Sequence, residues 1–221
     1  MSTTRYLAHP SGGLAYHLRA WRYRDTLWLP YLEQVADWLQ AWRPATRHLV
    51  LIGPSAGYSL SAGFLDRFER ISAMEPDLLA RVLLRQRFPG VRFDFQDALG
   101  DPRVLPRNYP DAAYLFCNLL GQQWTTASRD TWQPALIEVL NGQPWASYHD
   151  LVSTERQPRG YTALSLPALI SLDDLLGHFW PSGELHLHDH ETHGLLPHRP
   201  RRYAIWQLTP DRVHLVEWLQ G

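Results

Sequence analysis

Four short apolar runs in this sequence each end in residues that could bind a ligand. The first ends in the small-residue loop Gly53-Pro54-Ser55-Ala56-Gly57, and the next three end at Glu75, Asp97 and Asn118. A loop of small residues lets a ligand approach the backbone, and carboxylate or amide oxygens accept hydrogen bonds from hydroxyl groups. Glu75 lies 22 residues after Gly53, close to the spacing at which an acid reaches a nucleoside ribose in nucleotide-binding α/β proteins.

The same loop satisfies the Gly-x-Ser-x-Gly pattern of α/β-hydrolases, which favours an alternative chemistry. Ser55 would be the nucleophile, and His190 or His193 with an acid would complete a triad. Only 47 residues precede the strand, which leaves little room for the strands that normally come first. The Glu75-Pro76-Asp77 segment would also have no role, so the hydrolase stays the weaker alternative.

A histidine-rich segment near the C-terminus could bind a metal or move a proton. His186, His188 and His190 would share one face of an extended strand, and imidazoles in that arrangement can bind zinc. Because no cysteine assists and strands often carry a polar face, we expect no metal here. Asp189 or His190 could instead be the general base that takes a proton from a substrate, and His193 is a further candidate.

Composition excludes several kinds of chemistry. The sequence contains no lysine, so no Schiff base or phosphate-loop lysine is available, and its single cysteine, Cys117, excludes an internal disulfide and any multi-cysteine metal site. The net charge is −1, which provides no global attraction for nucleic acid or an anionic membrane. No apolar core of a signal peptide occurs in residues 1–10. The chain is therefore expected to be soluble and cytoplasmic.

Short apolar runs alternate with helical periodicity along most of the chain. Strands are predicted over 48–53, 70–74, 91–95, 112–117 and 145–152, and helices over 30–42, 78–88, 132–140 and 172–179. Because parallel strands need a crossover element, this rhythm predicts an α/β fold with a mainly parallel sheet. Two alternating runs around Thr209-Pro210-Asp211 predict an antiparallel hairpin that completes the sheet.

One domain spanning residues 1–221 is expected, with residues 1–46 as a helical N-terminal extension. The extension contains the arginine- and tryptophan-rich segment 19–24. Its arginines could hold an anionic ligand, or the segment could stack on nucleic acid. We favour a third interpretation, in which segment 19–24 is a surface segment whose tryptophans pack onto the domain.

The ordered strand ends resemble the successive motifs of class I S-adenosylmethionine-dependent methyltransferases. The resemblance covers residues 47–152 and is carried by the segments 49–57, 74–77, 95–98 and 116–118. It implies a seven-stranded, Rossmann-like sheet that binds S-adenosylmethionine and methylates an unidentified acceptor. It also implies roles for individual residues: Gly53, Pro54, Ser55 and Gly57 at the methionine part, Glu75 at the ribose hydroxyls, Asp97 and Ala98 at the adenine, and Asn118 beside the transferred methyl group.

Two positions depart from that family's pattern. Leu51 and Ser55 stand where the family usually has an acid and a second glycine. This leaves open a non-catalytic binding protein built on the same scaffold.

Overall fold

A computed structural model describes residues 13–95, 98, 100–120 and 126–221. The helices are Gly13–Tyr23 (α1), Leu29–Ala41 (α2), Ala62–Leu65 (α3), Leu78–Arg87 (α4), Val104–Asn108 (α5), Thr126–Asn141 (α6) and Leu172–Phe179 (α7). The strands are His48–Ile52 (β1), Arg70–Met74 (β2), Val91–Asp94 (β3), Ala112–Cys117 (β4), Trp145–Thr154 (β5), Leu164–Leu166 (β6), Leu187–Asp189 (β7), Arg201–Thr209 (β8) and Arg212–Gln220 (β9).

The strands form one sheet in the order β3-β2-β1-β4-β5-β9-β8-β6, and β7 pairs with β5. Strands β3, β2, β1, β4 and β5 are parallel, whereas β9 runs antiparallel to both β5 and β8. The predicted mainly parallel sheet with a C-terminal hairpin is therefore confirmed. Two three-residue strands, β6 and β7, are additional to the seven that the sequence predicted.

The order of the strands reverses at β1, because β2 lies on one side of it and β4 on the other. In open α/β sheets such a reversal leaves a crevice outside the carboxyl ends of the strands, where ligands bind. The loop at residues 53–57 follows β1 directly. It therefore lies at the mouth of this crevice.

Helices cover both faces of the sheet. All five residues of β1 are buried, as expected of a strand with a helix layer on each side. Leu49 and Leu51 belong to a hydrophobic cluster that includes residues of α1 and α2, and Val50 and Ile52 belong to a second cluster that includes α6. A third cluster joins the C-terminal half of β5 to α7 and the hairpin.

The N-terminal extension packs onto the sheet through aromatic side chains. The Trp28 indole donates to the backbone oxygen of Leu208 over 2.9 Å, and Tyr31 stacks on Trp206 with ring centroids 5.2 Å apart. Trp21, by contrast, is 85% exposed on α1. The expectation that the tryptophan of segment 19–24 packs onto the domain is therefore wrong, because Trp21 is exposed; Trp28, which does pack, lies outside that segment.

A search of the described helices finds none that is both long enough and apolar enough to cross a membrane.

Candidate active site

The carboxylate of Glu75 is held by the loop after β1. Its Oε2 accepts from the Ser55 amide over 2.8 Å, and its Oε1 accepts from the Asp77 amide over 2.9 Å. The side chain is buried, and burial raises the pKa of this carboxyl to about 7 despite the two backbone hydrogen bonds. The two strand ends that the sequence singled out first are therefore in direct contact.

Gly53 and Gly57 both adopt the left-handed conformation, with φ of 65° and 67°. A Cβ atom on Gly53 would lie 2.8 Å from Leu119, and one on Gly57 would lie 2.6 Å from Leu84. The sequence predicted that these glycines permit close approach of a ligand. In the structure, backbone conformation and contacts with the protein's own side chains account for them.

His17 of helix α1 contacts residues that follow β1 and β2. Its Nδ1 lies 3.0 Å from the Tyr58 hydroxyl, and its Nε2 lies 3.8 Å from Oδ2 of Asp77. Asp77 also caps α4, because its Oδ1 accepts from the Leu79 amide over 2.8 Å. One buried imidazole thus connects α1 to the ends of both β1 and β2.

Asn118, at the end of β4, clamps the end of β5. Its Oδ1 accepts from the Asp150 amide over 2.9 Å, and its Nδ2 donates to Oδ2 of Asp150 over 3.2 Å. The backbone of Asn118 has a φ of 51°, a left-handed conformation that asparagine tolerates better than most residues. Asn118 therefore fixes both the backbone and the carboxylate of Asp150.

Asp150 is also the centre of a cluster with two histidines. One ligand-type atom from each of Asp150, His190 and His214 lies within 4.8 Å of the other two, and Nδ1 of His214 is 2.9 Å from Oδ2 of Asp150. Burial alone would raise the pKa of Asp150, but the charges of the histidines and the Asn118 hydrogen bond hold it below its usual value. Burial lowers the pKa of His190. The cluster thus brings one carboxylate and two imidazoles together.

The cluster is close to helix α2 through Trp206, whose ring centroid lies 5.8 Å from that of His214 and 5.2 Å from that of Tyr31. Burial, together with the charges of Tyr58 and Asp150, raises the pKa of Tyr16 on α1. Burial first, and then the charge of Asp150, also raises the pKa of Tyr31 on α2. Both tyrosines are therefore within electrostatic range of Asp150.

The histidine-rich segment is divided by the structure. His186 and His188 are exposed, whereas His190 turns inward toward His214, with ring centroids 5.8 Å apart. Asp189 is exposed, and its Oδ1 accepts from the Glu191 amide over 2.7 Å. Of the three predicted general bases, His190 belongs to the Asp150 cluster, whereas Asp189 is exposed and His193 is not among the members of the cluster.

The two residues that precede Asp150 on β5 have other partners. The Tyr148 hydroxyl is 2.6 Å from Oγ of Ser59, and His149 is fully buried on the opposite face of β5, 3.2 Å from Glu217. Ala98 is buried in the hydrophobic cluster that includes α6. Asp97 lies outside the described residues, so its predicted contact with adenine stays a prediction.

The hydrolase alternative requires a histidine at Ser55. In the part of the chain that the structure describes, the contact of Ser55 is the hydrogen bond from its amide to Glu75, and no histidine is bonded to its hydroxyl. His190 and His193, proposed from the sequence for that triad, lie in the loop that follows β7. The structure gives the triad no support.

Sequence reasoning missed Asp150, His214, His17 and Tyr16. Asp150 could have been found, because it stands near the carboxyl end of the fifth predicted strand, as Asn118 does on the fourth. The other three residues carried no comparable signal. They lie in segments that the sequence assigned to a hairpin and to an N-terminal extension.

No protein-family model matches this sequence, and no curated protein matches it at a significant level. Among solved structures, S-adenosylmethionine-bound CalS10, an amino pentose methyltransferase from Micromonospora echinaspora, is 17% identical over 93% of this chain and 75% of its own, with a TM-score of 0.39. The glycopeptide N-methyltransferase MtfA, solved with S-adenosylhomocysteine, is 12% identical over 86% of this chain and 90% of its own, with a TM-score of 0.39.

A Rhodobacter sphaeroides protein described as a zinc-dependent alcohol dehydrogenase is similar to a shorter stretch. It is 15% identical over 54% of this chain and 46% of its own, with a TM-score of 0.40. Proteins named for different reactions thus match this chain at similar levels. These similarities assign no reaction to this chain.

Proposed function

We propose that this chain binds S-adenosylmethionine at the carboxyl edge of the sheet and transfers its methyl group to a small-molecule acceptor. The observation that carries the proposal is the contact between Glu75 and the Ser55 amide. It joins the ends of β1 and β2 at the point where the strand order reverses. An acid at the second strand, held beside the loop of the first, suits a nucleoside ribose.

The residues present fit the adenosine part of this cofactor at Glu75. Each carboxylate oxygen accepts one backbone hydrogen bond, which leaves a further lone pair on each oxygen for a ribose hydroxyl. Gly53 and Gly57 contribute differently, since side chains of the protein fill the space beside them. There the cofactor would meet the backbone of the loop.

When bound, the cofactor supplies a methyl group on a sulfonium: the acceptor forms a bond to the methyl carbon while the carbon–sulfur bond breaks and its electron pair returns to sulfur. Such a displacement depends on alignment and on exclusion of water more than on strong acid–base catalysis. Helix α1, held by His17 and Tyr58, would exclude water. Asn118, fixed to Asp150, would stand beside the acceptor.

A proton released by the acceptor needs a recipient close to Asn118. His190 suits this role better than Asp189, because His190 is in the Asp150 cluster whereas Asp189 is exposed. In the described chain, Nε2 of His190 is buried without a hydrogen-bond partner. A neutral imidazole with a free nitrogen can accept a proton.

Titration calorimetry of the full chain with S-adenosylmethionine and with S-adenosylhomocysteine tests cofactor binding. We expect Glu75→Gln to weaken binding at least about tenfold, because it removes the charge that hydroxyl groups would contact. Ser55→Ala is the matched control, since it keeps the amide that bonds to Glu75, and its affinity should stay within about twofold of the wild type.

Absence of binding by the wild-type chain would overturn the proposal. Equal affinity of the wild type and Glu75→Gln would show that the cofactor does not bind at Glu75. Binding without methyl transfer to any small-molecule acceptor would favour the non-catalytic scaffold protein. Thermal melting of each variant separates loss of binding from loss of folding.

A further inference from the structure

We propose that Asp150, His190 and His214 bind a divalent transition-metal ion. The three residues come from β5, from the loop after β7 and from β9, and one ligand-type atom of each lies within 4.8 Å of the others. Two imidazoles and a carboxylate form a donor set that suits zinc or ferrous iron and leaves coordination positions open.

The burial of these side chains indicates a built site. Asp150 is 7% exposed and His214 is 8% exposed. In the described chain, Oδ1 of Asp150, Nε2 of His190 and both ring nitrogens of His214 are buried without a hydrogen-bond partner. Unpaired buried polar atoms are costly. Coordination to one ion would give a partner to one ligand atom of each of the three residues.

The contact between His214 and Asp150 also supports a metal site. Nδ1 of His214 approaches Oδ2 of Asp150 to 2.9 Å, yet that nitrogen has no partner in hydrogen-bond geometry. Metal–ligand bonds of about 2.1 Å place neighbouring ligand atoms roughly 3 to 4 Å apart. Since the three ligand atoms lie within 4.8 Å of one another, a small adjustment of the side chains would let them surround an ion.

A bulge in β5 lies next to this cluster. Asp150 pairs with Val216 and Val152 pairs with Leu215, so Leu151 is an extra residue in the strand. Bulges re-aim side chains and are common next to functional sites. Beyond the bulge, Ser153 pairs with His214, which places His214 on the same face of the sheet as Asp150.

Hydrogen bonds from neighbouring side chains already hold Asp150 in place. Asn118 donates to Oδ2 of Asp150 over 3.2 Å, and the Thr192 hydroxyl donates to the Asp150 backbone oxygen over 2.6 Å. Partners of this kind fix metal ligands in position. The ion would thus lie close to Asn118.

His190 cannot bind a metal ion and act as the general base at the same time, because a nitrogen that coordinates a metal cannot also accept a proton. The metal proposal does not depend on methyl transfer. Its test therefore uses metal alone and no cofactor.

The test uses the full chain without a histidine tag, stripped with a chelator and titrated with zinc. We expect one equivalent of zinc by calorimetry and elemental analysis, and a melting temperature that rises on zinc addition. His190→Ala should weaken zinc binding at least roughly 100-fold, because it removes one of three ligands. Magnesium in excess should not compete, because imidazole is a poor ligand for it.

His186→Ala is the matched control, since His186 belongs to the same segment but is exposed, and it should bind zinc as the wild type does. Asp150→Asn provides a second variant of nearly unchanged shape, in case His190→Ala melts early. Substoichiometric zinc in the wild type, wild-type affinity in either cluster variant, or competition by magnesium would each overturn the proposal.

Discussion

The guanidinium of Arg201 on β8 donates from Nη1 to Oε1 of Glu217 on β9 over 2.7 Å, and neither side chain is exposed. Nε2 of His149 lies 3.2 Å from the other oxygen of Glu217. Burial alone would raise the pKa of Glu217, but His149 and Arg201 lower it to about 2. Three strands are therefore joined by one buried charge network.

Replacement of this carboxylate should be strongly destabilising. Glu217→Gln would leave Arg201 charged and buried without a counter-ion, a situation that typically costs about 3–5 kcal/mol. Urea denaturation followed by far-ultraviolet circular dichroism measures the free energy of unfolding. Glu138→Gln is the control: Glu138 pairs with Arg103 at the surface, and such pairs contribute about 1 kcal/mol or less. Equal losses in both variants would contradict this assignment.

The stability of the fold should fall as pH rises through the range set by Glu75. Its pKa is about 7 in the folded chain against 4.5 for an ordinary glutamate, so the folded state binds the proton more tightly. The contribution of Glu75 is fully present below pH 4.5 and is lost as pH rises through about 7. The loss is at most about 3 kcal/mol.

The measurement compares the free energy of unfolding of the wild type with that of Glu75→Gln at a series of pH values. Taking the difference between the two proteins removes the contribution of every other titrating group that the variant leaves unchanged. A difference that stays flat between pH 4.5 and 8 would show that Glu75 is not desolvated in the folded chain.

Gly57 should not tolerate a side chain. Its φ of 67° is unfavourable for alanine, and a Cβ atom there would lie 2.6 Å from Leu84. We expect Gly57→Ala to lower the free energy of unfolding by more than about 1–2 kcal/mol, the cost of the backbone conformation alone. In Gly90→Ala the added Cβ meets nothing within 4 Å, and that control should change stability by less than about 1 kcal/mol.

Removal of the Tyr58 hydroxyl should weaken the attachment of α1 to the rest of the protein. Tyr58→Phe deletes the oxygen that lies 3.0 Å from Nδ1 of His17. A hydrogen bond of this kind contributes about 0.5–1.5 kcal/mol, so backbone amides of α1 should exchange several-fold faster with deuterium. Tyr161→Phe, at an exposed site remote in sequence, should leave exchange in α1 unchanged. Unchanged exchange in both variants would mean that other contacts hold α1.

Much of the sheet could be predicted because local patterns determine it. β2 and β4 are observed at the residues where apolar runs predicted them, and α2 begins next to Pro30 as its periodicity indicated. The contact of Glu75 with the loop at Ser55 also follows from local order, because the carboxyl ends of neighbouring parallel strands meet at one edge.

The Asp150 cluster could not be predicted in the same way. Its members are far apart in sequence, and they meet because β5 pairs with β9 and because the loop after β7 brings His190 close to His214. Neither feature leaves a mark in the local pattern of residues. The prediction for the histidine-rich segment was also wrong. A strand with His186, His188 and His190 on one face was predicted, but β7 comprises only Leu187–Asp189.

The lone thiol of the chain has a practical consequence. Cys117 is buried beside Asn118 at the end of β4, and burial raises the pKa of its thiol to about 12. Alkylating reagents attack the thiolate, so the intact protein should be almost unreactive. Labelling would then proceed only while the centre of the sheet is transiently open. The rate at which Cys117 is alkylated would therefore report the rate of this opening.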